Sequence, residues 1–128
     1  MRVLVCGDRE WNDPLTIAKR LRRYEGSPTT IVHGDARGAD RTAQHVARSL
    51  RLPVEAFPAD WKKYGKAAGP IRNREMLDTK PDIVLAFHDN LDASLGTRDC
   101  VEEARRRGIP VEVISSAYAA WKRDPAAP

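Results

Sequence analysis

The chain has only two cysteines in 128 residues, Cys6 and Cys100, and neither stands in a Cys-x-x-Cys spacing. Both fall inside apolar patterns, which argues against a disulfide and reads as buried, reduced thiols of a cytoplasmic protein. The three histidines, His33, His45 and His88, share no ligand spacing, so no metal site and no cofactor are expected. Long apolar runs are also missing. The opening Val3-Leu-Val-Cys6 is too short for a signal-peptide core or a membrane span, and no later run reaches that length. No repeat or low-complexity segment interrupts the chain. Charge of one sign does not gather either: 22 Lys and Arg are interspersed with 18 Asp and Glu, a net charge of +4. That excess suits an anionic ligand, but it falls short of the continuous basic stripe of a dedicated nucleic-acid binder.

What is present describes one ordinary globular domain, with 41% hydrophobic and 31% charged residues. The domain is expected over residues 1–123, with 124–128 as a frayed tail. Val3 to Cys6 reads as a strand covered on both faces. Asp13-Pro14 is a helix cap followed by proline at the first helical position, and Ile17, Leu21 and Tyr24 form that helix's apolar face up to Gly26. Thr29 to His33 is a second strand. The following helix carries Ala43, Val46, Ala47 and Leu50 on one side. Pro53 to Phe57 is a weaker strand near an edge.

Pro58 to Gly69, with Trp61 and Tyr64, reads as a binding loop or lid with one helical turn. Gly69-Pro70 opens a helix bearing Arg72, Arg74 and Met76. Ile83 to Phe87 is the clearest buried strand. A helix from Thr97 to Arg107 follows, then a strand at Pro110 to Ile114 and a short helix capped by Ser115 or Ser116. This alternation predicts an α/β fold whose mainly parallel, five-stranded sheet is wound on both faces, with ligands beyond the strands' carboxyl ends.

The chemically rich segments follow strands directly: Gly7 to Glu10, His33 to Asp40, and His88 to Arg98. Gly34-Asp-Ala-Arg-Gly-Ala-Asp40 reads as a loop whose backbone amides approach phosphate, with Asp40 either holding a ribose hydroxyl or simply capping a helix. Arg72, taken as lying in a helix's first turn, supplies a fork for phosphate, and Arg9 is a second candidate. Arg74, two residues on, must point elsewhere. Gly96-Thr97 opens a helix suited to an anion. Trp61 either stacks on a base or anchors its loop. His33 is as well explained by a core hydrogen bond as by catalysis.

Gly7-Asp-Arg-Glu-Trp11, His33 to Asp40, Asp60-Trp61 through Arg72-Asn-Arg-Glu-Met76, and Leu95-Gly-Thr97 together resemble the YspA/YpsA-related family of the SLOG superfamily. That superfamily includes the lonely-guy phosphoribohydrolases and a domain of DNA-processing protein A. The resemblance spans roughly residues 2 to 114 and implies a Rossmann-like, three-layer α/β/α sheet with a pocket for a nucleotide, nucleotide sugar or ADP-ribose-like ligand. It also implies a homodimer or a higher homo-oligomer. Arg72 and Met76 correspond to the Arg and Met of the lonely-guy Arg-Lys-x-x-Met motif, with Asn73 in place of lysine. Gly96 and Thr97 correspond to the end of its Pro-Gly-Gly-x-Gly-Thr loop. The glutamate of those hydrolases falls on Cys100, beside Asp99.

Three readings follow. The first is binding or sensing of a nucleotide-derived phosphorylated small molecule through Gly7, Arg9, Gly34, Asp35, Gly38, Asp40, Arg72, Asn73, Met76, Gly96 and Thr97. The second is hydrolysis of such a ligand at an N-glycosidic or phosphoester bond, for which Asp35, Asp40, Glu75 and Asp99 are the candidate carboxylates. The third is single-stranded DNA binding.

Overall fold

Continuous apolar runs build the two strands at the middle of the sheet. In the computed structural model, which describes residues 1–127, β1 (Arg2–Gly7) and β4 (Ile83–Phe87) pair in parallel with Val3 opposite Ile83 and Gly7 opposite Phe87. On the other side of β1 lies β2 (Thr30–His33), then β3 (Val54–Ala56). Beyond β4 lies β5 (Val111–Ile114). The order β3-β2-β1-β4-β5 is parallel at every pairing, so the sheet is wholly rather than mainly parallel. The short β3 after Pro53 is an edge, as the proline foretold.

Residue alternation along the strands sorts the core into two layers. Val3, Val5, Ile31, Leu85 and Phe87 pack with Ile17 and Leu21 of α1 (Pro14–Leu21) and with Ala39, Ala43 and Ala47 of α2 (Ala39–Ser49). Leu4, Cys6, Val32, Val84 and Ala86 face the other way. They meet Met76 and Leu77 of α4 (Ala68–Asp78) and Cys100, Val101 and Ala104 of α5 (Gly96–Arg106). Full burial of each such aliphatic side chain is worth about 1.5–3 kcal/mol. The two thiols meet in this second layer, where Cys100 beside it and burial raise the Cys6 pKa well above its ordinary value.

Helix starts follow their capping chemistry. The Asp13 carboxylate accepts the Thr16 amide at 3.1 Å ahead of Pro14, and the Ser116 hydroxyl accepts the Ala119 amide ahead of α6 (Ala117–Arg123). The first helix is shorter than its apolar pattern, ending at Leu21 and giving way to a 3-10 turn at Arg22–Tyr24. Between β3 and α4, residues 58–67 hold one helical turn, α3 (Trp61–Tyr64), capped by Asp60, then a 3-10 turn at Gly65–Ala67. That turn runs directly into α4, which therefore starts at Ala68 and not at Gly69-Pro70. Arg72 thus stands in the second turn of its helix, one turn beyond the expected free amides. Among the described residues no helix is long and apolar enough to cross a membrane.

Candidate functional site

A cleft of about 360 Å³ opens beyond the carboxyl ends of β1, β2 and β3. Arg9 enters it from the loop after β1, Gly34 to Arg37 from the loop after β2, Pro58, Ala59 and Trp61 from the segment after β3, Arg41 from α2 and Arg72 from α4.

Glycine chemistry lets these loops approach one another. A Cβ on Gly34 would collide with the Arg72 guanidinium, lying 2.6 Å from its Cζ. Gly38, at φ +79°, adopts the left-handed backbone that glycine tolerates, and a Cβ there would strike the Asp8 and Arg9 carbonyls. A Cβ on Gly7 would strike the Phe87 carbonyl and Ala39, so that glycine serves strand and helix packing.

Arg72 is buried, yet it finds only neutral partners. Its Nη1 donates to the Gly34 carbonyl and its Nε donates to Asn73 Oδ1 at 3.0 Å. Neither Arg72 nor Arg9 enters an ion pair among the described residues. Arg37 pairs with Glu10, and Arg41 reaches Asp35 at 3.5 Å. The Arg9 guanidinium lies 5.5 Å from the centre of the Trp61 ring, a cation–π contact at the mouth of the cleft. Trp61 remains 48% exposed and lines the cleft.

Asp40 does not project into this space. It lies beneath the loop, buried, and its Oδ2 accepts the amides of Gly34 at 3.0 Å and Ala36 at 3.3 Å. Burial pushes its carboxyl up to about 6, against the opposing pull of the Ala36 amide, Arg72, the Gly34 amide and Arg9. It is not the helix cap either, since α2 begins at Ala39 behind Gly38. His33 is fully buried. Its Nδ1 accepts the Asp35 amide at 2.9 Å, so that nitrogen is unprotonated and Nε2 donates to Gln44 at 2.9 Å. Burial lowers its pKa, consistent with a neutral structural imidazole.

The amides of Gly34, Asp35 and Ala36 are therefore all bonded within the chain. A phosphate cradle made of these backbone groups, as the loop's glycines suggested, is already filled by Asp40 and His33. What the cleft offers an anion is guanidinium, from four arginines with Asp35 as its single lining carboxylate.

The remaining candidates lie apart from the cleft. The Asn73 amide donates to the Gly96 carbonyl at 3.2 Å and to Asp99 at 3.0 Å, so α5's first turn reaches Arg72 only through Asn73. Thr97 is buried, and its amide is taken by Ser94 Oγ at 3.1 Å. Met76 belongs to the core layer with Leu4 and Val84 and offers no ligand contact. Glu75 is exposed on α4 outside this cleft. Arg74 turns toward Asp99 and Glu103 of α5, each at 3.7 Å.

The comparisons with known proteins agree with this architecture. Residues 1–64 match the model of YAcAr, the YspA, cpYpsA-related SLOG family. The Gene 61 protein of Mycobacterium phage D29 is 43% identical over 118 residues, covering 86% of this chain and 93% of that protein. The chain belongs to the YspA, cpYpsA-related SLOG family. A solved structure, DNA processing protein A (DprA) from Streptococcus pneumoniae, is similar to it with a TM-score of 0.70 over 95% of the chain, at 16% identity. The chain spans 61% of the length of that structure, and the likeness is one of fold.

In this SLOG protein, Arg9, Gly34, Asp35 and Arg72 come together at one cleft, while Gly96 and Thr97 do not line it. Arg37 and Arg41 line it without having been singled out by sequence. Arg37 sits inside the very loop that drew notice, and Arg41 one residue beyond it. Two arginines flanking a Gly-Ala-Asp turn were the available signal. Cys100, where the lonely-guy hydrolases have glutamate, is a buried core thiol.

Proposed function

We propose that this SLOG protein binds a nucleotide-derived phosphorylated small molecule in the arginine-lined cleft, with phosphate at Arg9 and Arg72 and a base against Trp61. The observation that carries this reading is the pair of arginines, Arg9 and Arg72, that line the cleft without a carboxylate partner among the described residues. Arg72 is held by neutral oxygens and Arg9 lies against the Trp61 ring; both feel the Asp40 carboxyl beneath the loop, but neither is bonded to a carboxylate, so both can bond an incoming anion directly. The half-exposed indole supplies a flat apolar platform beside it. As a family member of this kind the protein is taken to be cytoplasmic, with its two thiols reduced, and to act as a homodimer.

The test is a thermal-shift screen of nucleoside mono- and diphosphates, NAD and ADP-ribose, with chromatography of each hit. A binding protein raises its Tm with ligand and returns the ligand unchanged. Arg72→Ala abolishes the rise. An unaltered rise in that variant removes the clamp.

A second reading is hydrolysis, and Asp35 favours it. Asp35 is the lining carboxylate and is held at φ +54°, a left-handed conformation that costs a non-glycine residue roughly 1 kcal/mol or more. A carboxylate there suits an oxocarbenium-like transition state at a ribose whose phosphate is clamped. Product in the chromatogram, lost in Asp35→Asn, would establish it. The fold shared with DNA processing protein A keeps single-stranded DNA as the competing ligand. Binding of that kind shows a steep loss of affinity with salt, which one clamped nucleotide does not.

A further inference from the structure

We infer that an anion bound in the arginine-lined cleft draws a proton onto Asp40, so that the chain holds its ligand more tightly in mild acid than at neutral pH. The inference rests on the nucleotide reading above and adds a means of regulating that site.

Asp40 and Arg72 grip the same residue. The Asp40 Oδ2 accepts the Gly34 amide at 3.0 Å, and Arg72 donates to the Gly34 carbonyl. Oδ2 also accepts the Ala36 amide at 3.3 Å, while Oδ1 accepts no hydrogen bond among the described residues. Oδ1 is not sealed in, since the fully enclosed side-chain atoms without a partner are Arg2 Nε and Arg20 Nη1. A proton can therefore settle on Oδ1 without breaking either amide bond. The loop itself has no need of an acid. An asparagine oxygen would satisfy the same two amides without the cost of burying a charge.

The charge on Asp40 follows from the groups that face it. Arg72 from α4 and Arg9 from the loop after β1 favour the carboxylate, and burial opposes it. Cys6 of β1 faces it as a thiol whose pKa is well above the ordinary value. His33, at the end of β2, is a buried imidazole whose pKa is lowered. A phosphate on Arg9 and Arg72 brings negative charge toward the carboxyl and engages the two cations that favour its ionised form. Both effects raise its proton affinity, from a value that burial has already brought to about 6. Below that value Asp40 is neutral with or without ligand, and the phosphate meets no opposing charge. Well above it, Asp40 is ionised in both states and repels the phosphate. Affinity therefore falls as pH rises from about 6 upward.

The experiment is calorimetric titration with ADP-ribose and with NAD, whose diphosphate keeps its charge across the range, at pH 5, 6.5 and 8. Affinity falls about tenfold or more between the extremes, the equivalent of one pKa unit or more at Asp40. At pH 6.5 binding takes up a fraction of a proton, read from the heats in buffers of different ionisation enthalpy. Asp40→Asn binds with one affinity across the range and takes up no proton. An affinity in wild type that does not change with pH, or a pH dependence that survives in Asp40→Asn, overturns the inference and leaves nucleotide binding intact. Should that variant not fold, the wild-type proton uptake decides, and its absence overturns the inference. Failure of both probes to bind at every pH overturns it together with the nucleotide reading.

Discussion

Replacing Gly34 with alanine tests how the cleft is built. The added Cβ would overlap the Arg72 guanidinium, at 2.6 Å from Cζ and 2.9 Å from Nε. Arg72 must then leave, giving up its bonds to the Gly34 carbonyl and to Asn73 Oδ1. Bonds made by a charged donor are worth about 1.5–3 kcal/mol each, and rehydration of the displaced guanidinium in the open cleft returns part of that. The net cost is about 2–4 kcal/mol, which lowers Tm by roughly 8–15 °C in a domain of this size. The same substitution behaves differently once Arg72 is alanine. Gly34 does not occupy the left-handed region, so alanine fits its backbone and gains about 0.4–1 kcal/mol through the unfolded chain. Urea unfolding of wild type, Gly34→Ala, Arg72→Ala and the double variant, followed by far-UV circular dichroism, gives the coupling directly. The expected coupling, that cost plus the gain seen without Arg72, is about 2.5–5 kcal/mol. An equal cost of Gly34→Ala in both backgrounds would show that the glycine is needed for something other than the arginine.

Asp40 makes a pH prediction. Its carboxyl ionises near 3.8 when unexposed to the fold's burial and at about 6 within it. Between those values the folded chain holds more protons than the unfolded one, so this group's contribution to stability falls as pH rises from 4 to 6, then levels. The total is about 3 kcal/mol. Asp40→Asn keeps an acceptor for the Gly34 and Ala36 amides and lacks this slope, so the variant gains on wild type across that window in urea unfolding. Parallel stability curves would contradict the buried carboxyl. Asn73→Ala removes the acceptor of Arg72 Nε and the donor to Gly96 and Asp99. It should cost about 1–3 kcal/mol and also weaken ADP binding, although Asn73 does not line the cleft. Unchanged ADP affinity by calorimetry would show that Arg72 needs no such support. Leu4→Ala, in the α4–α5 layer and fully buried, should cost about 2–5 kcal/mol in the same unfolding assay, and a smaller loss would mean that this layer is loosely packed.

The fold was legible because its central strands are continuous apolar runs bounded by turn residues and too short for a core helix, and because Asp13-Pro14 announces a helix start without ambiguity. The sheet order, by contrast, has no local signal, and the order decides which loops meet. Residues His88 to Arg98 follow a strand as directly as Gly34 to Asp40 do, yet only the latter loop, through Gly34 to Arg37, lines the cleft. Asp40 shows a second limit. A carboxylate at a helix start has the same pattern whether it caps the helix, contacts a ribose, or ties down the loop behind it. Only the positions of the Gly34 and Ala36 amides choose the last. Arg72 shows a third. Its alignment with the family motif marked it, but the motif says nothing of the 3-10 turn that starts α4 early. Nor does it tell that a glycine thirty-eight residues away makes room for it.

The most direct test is a ¹H–¹⁵N spectrum of the wild-type chain titrated with ADP, read at its three tryptophan indoles. Trp61 lines the cleft, Trp11 is buried against Phe87, and Trp121 lies on α6 beside Tyr118. The account predicts a saturable shift of the Trp61 indole and of the Gly34 to Arg41 amides, with Trp11 and Trp121 unmoved. Shifts centred on Trp121, or saturation of binding with Trp61 unaffected, would contradict it.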